Sequence, residues 1–337
     1  MAKLRIKRIN ASLLDPALEL EINGFCDQHM GTVFHETDFN RIASRVFKTD
    51  LSYFLAYQDK TLVGVMPCQT FNNRLIRQSF SNLSSFEIPY GGWVFDKHLV
   101  QIDKLVRKTP LGMNESLGVM SNIELDVIQR PTLRLQRQEI LNTVLLSLEG
   151  KGTDELFGGL SKKLRYKIRH ASAMGIEVIQ LVPENLDLFF DLFRELKNRV
   201  GLRMRDVSFY SDVFGHYQAQ ARATCLTALY ENVPISSMIL LANSNFTTFW
   251  VAGRKSGLPN NLYQNELLIW ESIKWANEFG SQYFDLCGLD EERLPHLARI
   301  KLSFSKDIRN FYFYLKRSPA YPLLNKAQNI LRRYLDE

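Results

Sequence analysis

The sequence predicts an α+β fold built as two tandem domains, each a mixed, mostly antiparallel sheet flanked by helices. Three observations carry that prediction. A β-rich meander occurs at 52–80 and a second of the same cadence at 225–251. Helical segments precede each meander, and glycines cluster between them at Gly150, Gly152, Gly158 and Gly159. A chain of 337 residues suits two domains of roughly 100–200 residues. With 45% hydrophobic and 23% charged residues, each domain can bury its own core. The expected division is 1–150, 151–320 and a terminal amphipathic helix over 321–337.

The elements follow in order. Leu14–His29 and Asp38–Phe47 read as helices. Ser52–Gln58 is a strand, Asp59-Lys60 a turn, Thr61–Phe71 the second strand and Leu75–Phe80 the third, after Asn72-Asn73. In Leu160–Met174 the apolar residues Leu160, Leu164, Ile168 and Ala171 recur at helical spacing and define one face. Pro183 opens and Gly201 closes a helix over Asn185–Val200, and Ser208–Ala223 leads into the second meander. There Cys225–Glu231, Ile235–Ala242 and Phe246–Val251 are separated by turns at Asn232-Val233-Pro234 and Asn243–Asn245. In Tyr321–Leu335 an apolar face (Leu323, Leu324, Ala327, Ile330, Leu331, Tyr334) opposes Lys326, Arg332 and Arg333. Such a helix either docks on its own domain or lies on a membrane surface.

A net charge of +6 is either a mildly basic solvated surface or a preference for anionic partners such as phosphates, tRNA or an anionic membrane face. Cys26, Cys68, Cys225 and Cys287 are far apart, without Cys-x-x-Cys or paired-histidine spacing, so they read as reduced thiols and offer no metal site. The basic N-terminus lacks the apolar core of a signal peptide, and no apolar run reaches the ~18–20 residues of a membrane span. The expectation is a cytoplasmic protein, with the inner membrane face as a second location.

Several motifs together resemble a known group. They are Val33-Phe34-His35, Ile88-Pro89-Tyr90-Gly91-Gly92, Ser161–Ala171 followed by Gly175-Ile176-Glu177-Val178, Trp270–Ala276, Tyr283–Gly288, and Ile300-Lys301-Leu302-Ser303-Phe304. In this order they resemble the Fem family of peptidoglycan-bridge aminoacyltransferases and its relatives in polysaccharide gene clusters, proteins made of duplicated GNAT domains. The resemblance implies two GNAT-like domains and transfer of an acyl or aminoacyl group to an amine. The chain lacks the coiled-coil arm of some long relatives.

Amide formation from an activated ester needs a neutral amine, a proton acceptor, a stabilised oxyanion and a bound carrier. GNAT enzymes hold the coenzyme A pyrophosphate in a glycine-rich loop at a helix N-terminus. Here Gly253–Gln264 contains a proline and bulky residues instead, which favours a donor other than coenzyme A. Asp285 interrupts an apolar strand; it is either the proton acceptor or a carboxylate that caps the following loop or pairs with Arg299 or Lys301. Lys301 inherits by resemblance a role beside the reacting carbonyl, with a surface lysine as the alternative. Arg199 aligns with an arginine that in some relatives meets the diphosphate of a nucleotide-linked acceptor. Tyr90 and Tyr263 are candidates for the acceptor groove, Tyr90 equally for a turn and core role. Lys163, Arg165 and Arg169 lie with Lys162, Lys167 and His170 in a stretch without acids, suited to phosphate contact or to solvation. His35 and His296 read as structural.

The implied function is N-acyl transfer to an amine of a cell-envelope or polysaccharide precursor, with aminoacyl-tRNA as donor and no resident cofactor. The alternatives are an acyl-coenzyme A-dependent N-acyltransferase of an amino sugar and a non-catalytic module that binds an anionic nucleotide- or lipid-linked glycan precursor.

Overall fold

The computed structural model describes residues 3–81, 87–120, 135–292 and 294–335. From the N-terminus come β1 (Leu4–Asn10), α1 (Pro16–Gln28), α2 (Thr37–Phe47), β2 (Asp50–Gln58), β3 (Thr61–Asn73), β4 (Ile76–Ser81), β5 (Val94–Phe95), α3 (Ile102–Lys108) and β6 (Glu115–Met120). Then follow β7 (Leu135–Ser147), α4 (Thr153–Gly159), α5 (Lys162–Ala173), β8 (Glu177–Leu181), α6 (Asp187–Arg199), α7 (Val207–Gln218), β9 (Ala223–Tyr230), β10 (Val233–Ala242) and β11 (Phe246–Arg254). The chain ends with α8 (Gln264–Phe279), β12 (Tyr283–Asp285), α9 (Pro295–Phe304), β13 (Asp307–Arg317) and α10 (Tyr321–Leu335).

These elements form two units, Met1–Leu141 with Asn310–Glu337, and Asn142–Arg309. Unit 1 carries the strand order β1-β2-β3-β4-β6-β13, and unit 2 the order β8-β9-β10-β11-β12-β7. In each, the first four strands are antiparallel, the next pair is parallel (β4/β6 and β11/β12), and the last is antiparallel again. The fold is α+β with two tandem halves of the same strand order and direction. β13, from beyond unit 2 in sequence, closes unit 1, and β7, which follows β6, closes unit 2, so the boundary falls inside β7 at Leu141/Asn142 and unit 1 has two segments.

Local chemistry explains the elements. Pro16 opens α1, and the Asp15 carboxylate accepts from the Leu18 amide at 2.8 Å, satisfying one of the helix's orphan donors. The hairpin between β9 and β10 turns on Glu231 and Asn232, both with positive φ (52° and 61°), the pattern of a type I′ turn. The turn expected at Asn232-Val233-Pro234 is therefore displaced, with Val233 and Pro234 inside β10 beside a register shift where a missing N–H is tolerated. In unit 1, Arg8 of β1 reaches across the sheet to Ser52 Oγ (2.9 Å), Thr70 Oγ1 (2.7 Å) and the buried Glu115 carboxylate (2.6 Å). The helix α10 docks on this unit, its Tyr321 hydroxyl accepting from Gln78 (3.3 Å) and its Gln328 carbonyl oxygen from the Leu75 amide (3.2 Å). Side chains from Ile330 onward lie outside the described residues.

The unit 2 core gathers Leu164, Ile168 and Ala171 of α5, Leu268, Ile269 and Ile273 of α8, and Met238, Leu240 and Phe249 of the sheet. On the other side of β11 lies α6, seated on Gly253. A Cβ there would stand 2.4 Å from the Phe193 amide nitrogen and 2.5 Å from the Leu192 carbonyl carbon. Only glycine allows the helix backbone so close.

Candidate active site

The site begins where two parallel strands part. β11 and β12 pair only at Phe246↔Tyr283, Thr247↔Phe284 and Thr248↔Asp285. After Asp285 the chain follows β7 instead: the Leu286 amide donates to Val144 O (3.0 Å) and the Leu289 amide to Asn142 O (2.7 Å). β11 continues from Phe249 to Arg254 with β10 as its strand partner, through a bulge in which Ile239 pairs Val251 and Leu240 pairs Phe249. Trp250 is the extra residue. The two strands thus part in unit 2, and a cavity of about 450 Å³ lies along the stretch of β11 that has left β12. Its walls are Phe249, Ala252, Gly253 and Arg254 of β11, Ser236 and Met238 of β10, Leu196 and Arg199 of α6, Asn265 and Ile269 of α8, the loop Lys255–Leu258, and Leu294–Leu297 at the start of α9. Phe249 and Arg254 are five residues apart, about 17 Å along an extended strand, so the cavity has distinct ends.

The Arg254 end is cationic. Arg199, Arg254 and Lys255 all contribute to the wall. Burial pulls the Arg254 pKa down, and the neighbouring Arg199 charge adds to that. Facing them, the Glu195 carboxylate accepts from the Ser256 amide (2.6 Å) and hydroxyl (2.5 Å) and stands 4.0 Å from Arg199.

The Phe249 end lies beside Lys301. This lysine is 5% exposed, its Nζ 5.1 Å from the centre of the Phe249 ring, and it donates to Gly288 O (2.7 Å) and Cys287 O (3.3 Å). Burial lowers its pKa, against an opposing pull from Cys287 and Asp285. It is a buried lysine on α9 and no surface residue, adjacent to the cavity through Phe249. Asp285 is fully buried, and its Oδ1 accepts from Thr143 Oγ1 (2.6 Å) and from the Cys287 amide (2.8 Å). It caps the loop whose carbonyls hold Lys301, in a turn where Cys287 takes a left-handed φ of 57°.

The other sequence candidates lie elsewhere. Tyr90 is buried in unit 1, edge-on to Phe34 at 5.8 Å, which is the turn-and-core placement. Tyr263 precedes α8 with a positive φ and turns to α5, where Lys167 sits 5.0 Å over its ring and His170 5.7 Å away. On α5, Arg165 donates to Leu160 O (2.8 Å) and caps the end of α4, and Arg169 stacks 5.2 Å over Phe157. Lys167 pairs with the buried Glu266 at 2.8 Å. Lys162 and Lys163 remain exposed. His35 is buried, with Nδ1 at 2.9 Å from Thr32 Oγ1 and Nε2 at 2.9 Å from Gly91 O, a structural position. His296, expected to be structural, is exposed in the cavity wall.

With this geometry the relatives can be read. Residues 129–229 match the FemAB family. Over that segment, which includes α5 and Arg199, the chain is Fem-like, in agreement with the resemblance of its motifs. Asp285 and Lys301 lie outside the matched stretch. A crystal structure of FemX superposes with a TM-score of 0.68 at 14% identity, over 94% of this chain and 99% of that one. A tandem GNAT protein from the clavulanic acid biosynthesis pathway gives 0.53 at 9% identity, over 93% and 98%. The C-terminal domain of a putative lysylphosphatidylglycerol synthetase from Agrobacterium fabrum gives 0.52 at 11%, over 92% and 97%. At these identities the likeness is one of fold, and it covers both halves of the chain. No curated protein matches the sequence.

The residues that sequence reasoning missed are Arg254, Glu195, Ser256 and His296. The available signal was the pair Arg254-Lys255 directly after a strand. His296 follows a proline at the first position of α9, which reads simply as a helix start.

Proposed function

We propose that the chain is an N-acyltransferase that forms an amide on an amine of an anionic cell-envelope or polysaccharide precursor, with aminoacyl-tRNA as the donor. The opening of β11 away from β12, with cations at one end of the cleft and a buried lysine beside the other, carries this reading. The separation suits an acceptor whose phosphate is held far from its reacting amine.

In the reaction the amine nitrogen attacks the ester carbonyl and loses a proton. The carbonyl oxygen gains negative charge and returns it as the C–O bond to the ribose breaks, and the ribose oxygen leaves as a hydroxyl carrying a proton equivalent to the one the amine gave up. Lys301 has three N–H bonds and directs two at backbone carbonyls. Held in a dry pocket, its charge favours the oxyanion without reorganising, an effect of a few kcal/mol. His296, exposed in the cavity wall, would take the proton. Asp285 then acts as a positioning residue through the loop it caps. Arg199 and Arg254 would hold the acceptor's phosphate, a role for which planar guanidinium groups are suited. Two features support a donor other than coenzyme A: the Fem-like match, and the engagement of the Ser256 amide by Glu195 where a pyrophosphate would need that donor. On α5, the exposed Lys162 and Lys163 are the cations left to meet a tRNA backbone.

The test is amide formation with charged tRNA and, separately, with acetyl-coenzyme A. Lys301→Ala should lower turnover about a hundredfold or more with little change in acceptor affinity. Arg199→Ala should weaken the acceptor and spare turnover at saturation, because a remote phosphate is bound alike in ground and transition states. A folded Lys301→Ala protein with near-normal turnover would remove the lysine from the mechanism, and tight acetyl-coenzyme A binding would move the donor assignment.

A further inference from the structure

At the cationic end of the cleft a carboxylate from the protein occupies the place an anionic ligand would take. Glu195, on α6, accepts from both the backbone amide and the hydroxyl of Ser256, 61 residues later in the chain, at 2.6 and 2.5 Å. The same carboxylate oxygen is 4.0 Å from the Arg199 guanidinium. An amide and a hydroxyl converging on one oxygen, with an arginine nearby, is the donor set that phosphate oxygens receive in anion-binding loops. Around it are Arg199, Arg254 and Lys255 of the cavity wall. The Nε–H of Arg254 is buried with no hydrogen-bond partner among the described residues. The acidic group that acts on Arg254 is Glu266, which is buried and paired with Lys167 at 2.8 Å. Arg199 and Lys255 thus act on the Glu195 carboxylate, Arg254 adds a third cation to the same wall, and its buried guanidinium N–H is left over.

We propose that Glu195 masks a phosphate-binding subsite formed by Ser256, Arg199, Arg254 and Lys255. The carboxylate acts as a resident stand-in anion. It holds the loop after β11 in a receptive shape, and its negative charge keeps small phosphoanhydrides from settling there. Glu195 is thus a specificity residue: it excludes free nucleotides and coenzyme A from the cleft, and admits a phosphate only when the rest of a larger ligand contributes enough binding to displace it. The inference rests on the loop geometry and stands independently of the donor assignment.

The probe is inorganic pyrophosphate, titrated by calorimetry at low salt into the full chain with no donor or acceptor present. Wild type should bind weakly. Glu195→Gln, which keeps the shape and removes the charge, should bind at least tenfold more tightly, and Glu195→Ala, which also frees the Ser256 donors, should show the same direction. Adding Arg254→Ala to Glu195→Gln should abolish the gain. Thermal unfolding of each variant establishes that the loop change leaves the fold intact. Affinity within twofold of wild type in both folded single variants would overturn the proposal. So would a gain that survives in the Arg254→Ala double variant, because the anion would then be binding elsewhere. A failure here leaves amide formation from charged tRNA untouched, and a failure of that assay leaves this titration untouched.

Discussion

Replacing Gly253 by alanine should damage the cleft from behind. The added methyl would stand 2.4 Å from the Phe193 nitrogen and 2.5 Å from the Leu192 carbonyl carbon. Comfortable carbon contacts lie near 3.5–4.0 Å, so the helix must retreat by roughly 1 Å. Because both obstacles are main-chain atoms, no side-chain rotation relieves the clash. Overpacking usually costs about 1–3 kcal/mol, and a clash with backbone belongs at the upper end, about 3 kcal/mol. The functional effect follows from what α6 carries. Leu196 and Arg199 lie one and two turns beyond Phe193 and form part of the cavity wall. A displacement of that size at a positioning group can lower a rate by up to about a hundredfold. Chemical denaturation gives the stability change, and acceptor titration followed by steady-state turnover gives the functional one. Gly253→Ala should lose both stability and acceptor affinity, and Gly253→Ser should match it or be worse. An alanine variant within about 0.5 kcal/mol of wild type, with unchanged acceptor affinity, would show that α6 does not depend on this close approach.

Two further outcomes are expected in unit 1. Burial pushes the His35 pKa down to about 4, while the unfolded imidazole titrates near ~6.5, so the unfolded chain binds more protons between those values. Stability present above about pH 6.5 should therefore decline as pH falls toward 4, by about 3 kcal/mol, and urea titrations of His35→Gln should show a correspondingly flatter profile. Arg8→Ala strips the buried Glu115 carboxylate of its cation and should destabilise by about 3–5 kcal/mol in the same assay, with Glu115→Gln milder because it retains hydrogen-bonding capacity.

How much of this was legible in the sequence depends on how local each signal was. The strands β2, β3, β9, β10 and β11 were readable because their apolar and β-branched runs are bounded by turn residues a few positions away. The hairpin at Glu231-Asn232 was misplaced because Pro234 imitates a turn residue while sitting at a register shift within β10. The pairing of the closing strands was not readable: nothing in the residues of β7 states that its partner is β12, more than a hundred residues later. Lys301 and Arg199 were found through motif order. Their relation to a cavity required the fold, as did Glu195 meeting Ser256 and His296 reaching the same wall. The cationic reading of α5 changed most, because Arg165, Lys167 and Arg169 have partners that spacing along one helix cannot predict.

The repeat supports the proposed placement of the chemistry in unit 2. The two units share strand order and direction, so corresponding strand pairs can be compared. In unit 1 the parallel pair β4/β6 is continuous over Arg77↔Glu115 to Ser81↔Val119, which is almost the whole of β4. In unit 2 the corresponding pair β11/β12 stops after three residues, and six residues of β11 continue without β12. Side chains reflect the same contrast. A half-buried cation of unit 1, Arg8, is held by a carboxylate and by hydroxyls across the sheet, an arrangement that staples strands together. The buried cation of unit 2, Lys301, is held by two carbonyls of the loop that diverges from β11, beside a ring in the cavity wall. One sheet is zipped and neutralised, while the other is opened and keeps its charge next to the opening. Duplication of a fold conserves the sheet order because each half needs it to bury a core. An opening that gives up backbone pairing leaves polar groups which, under the proposed function, a substrate carbonyl or amine would satisfy. Among the described residues that place is unit 2, where the cleft, the cation cluster and Lys301 coincide.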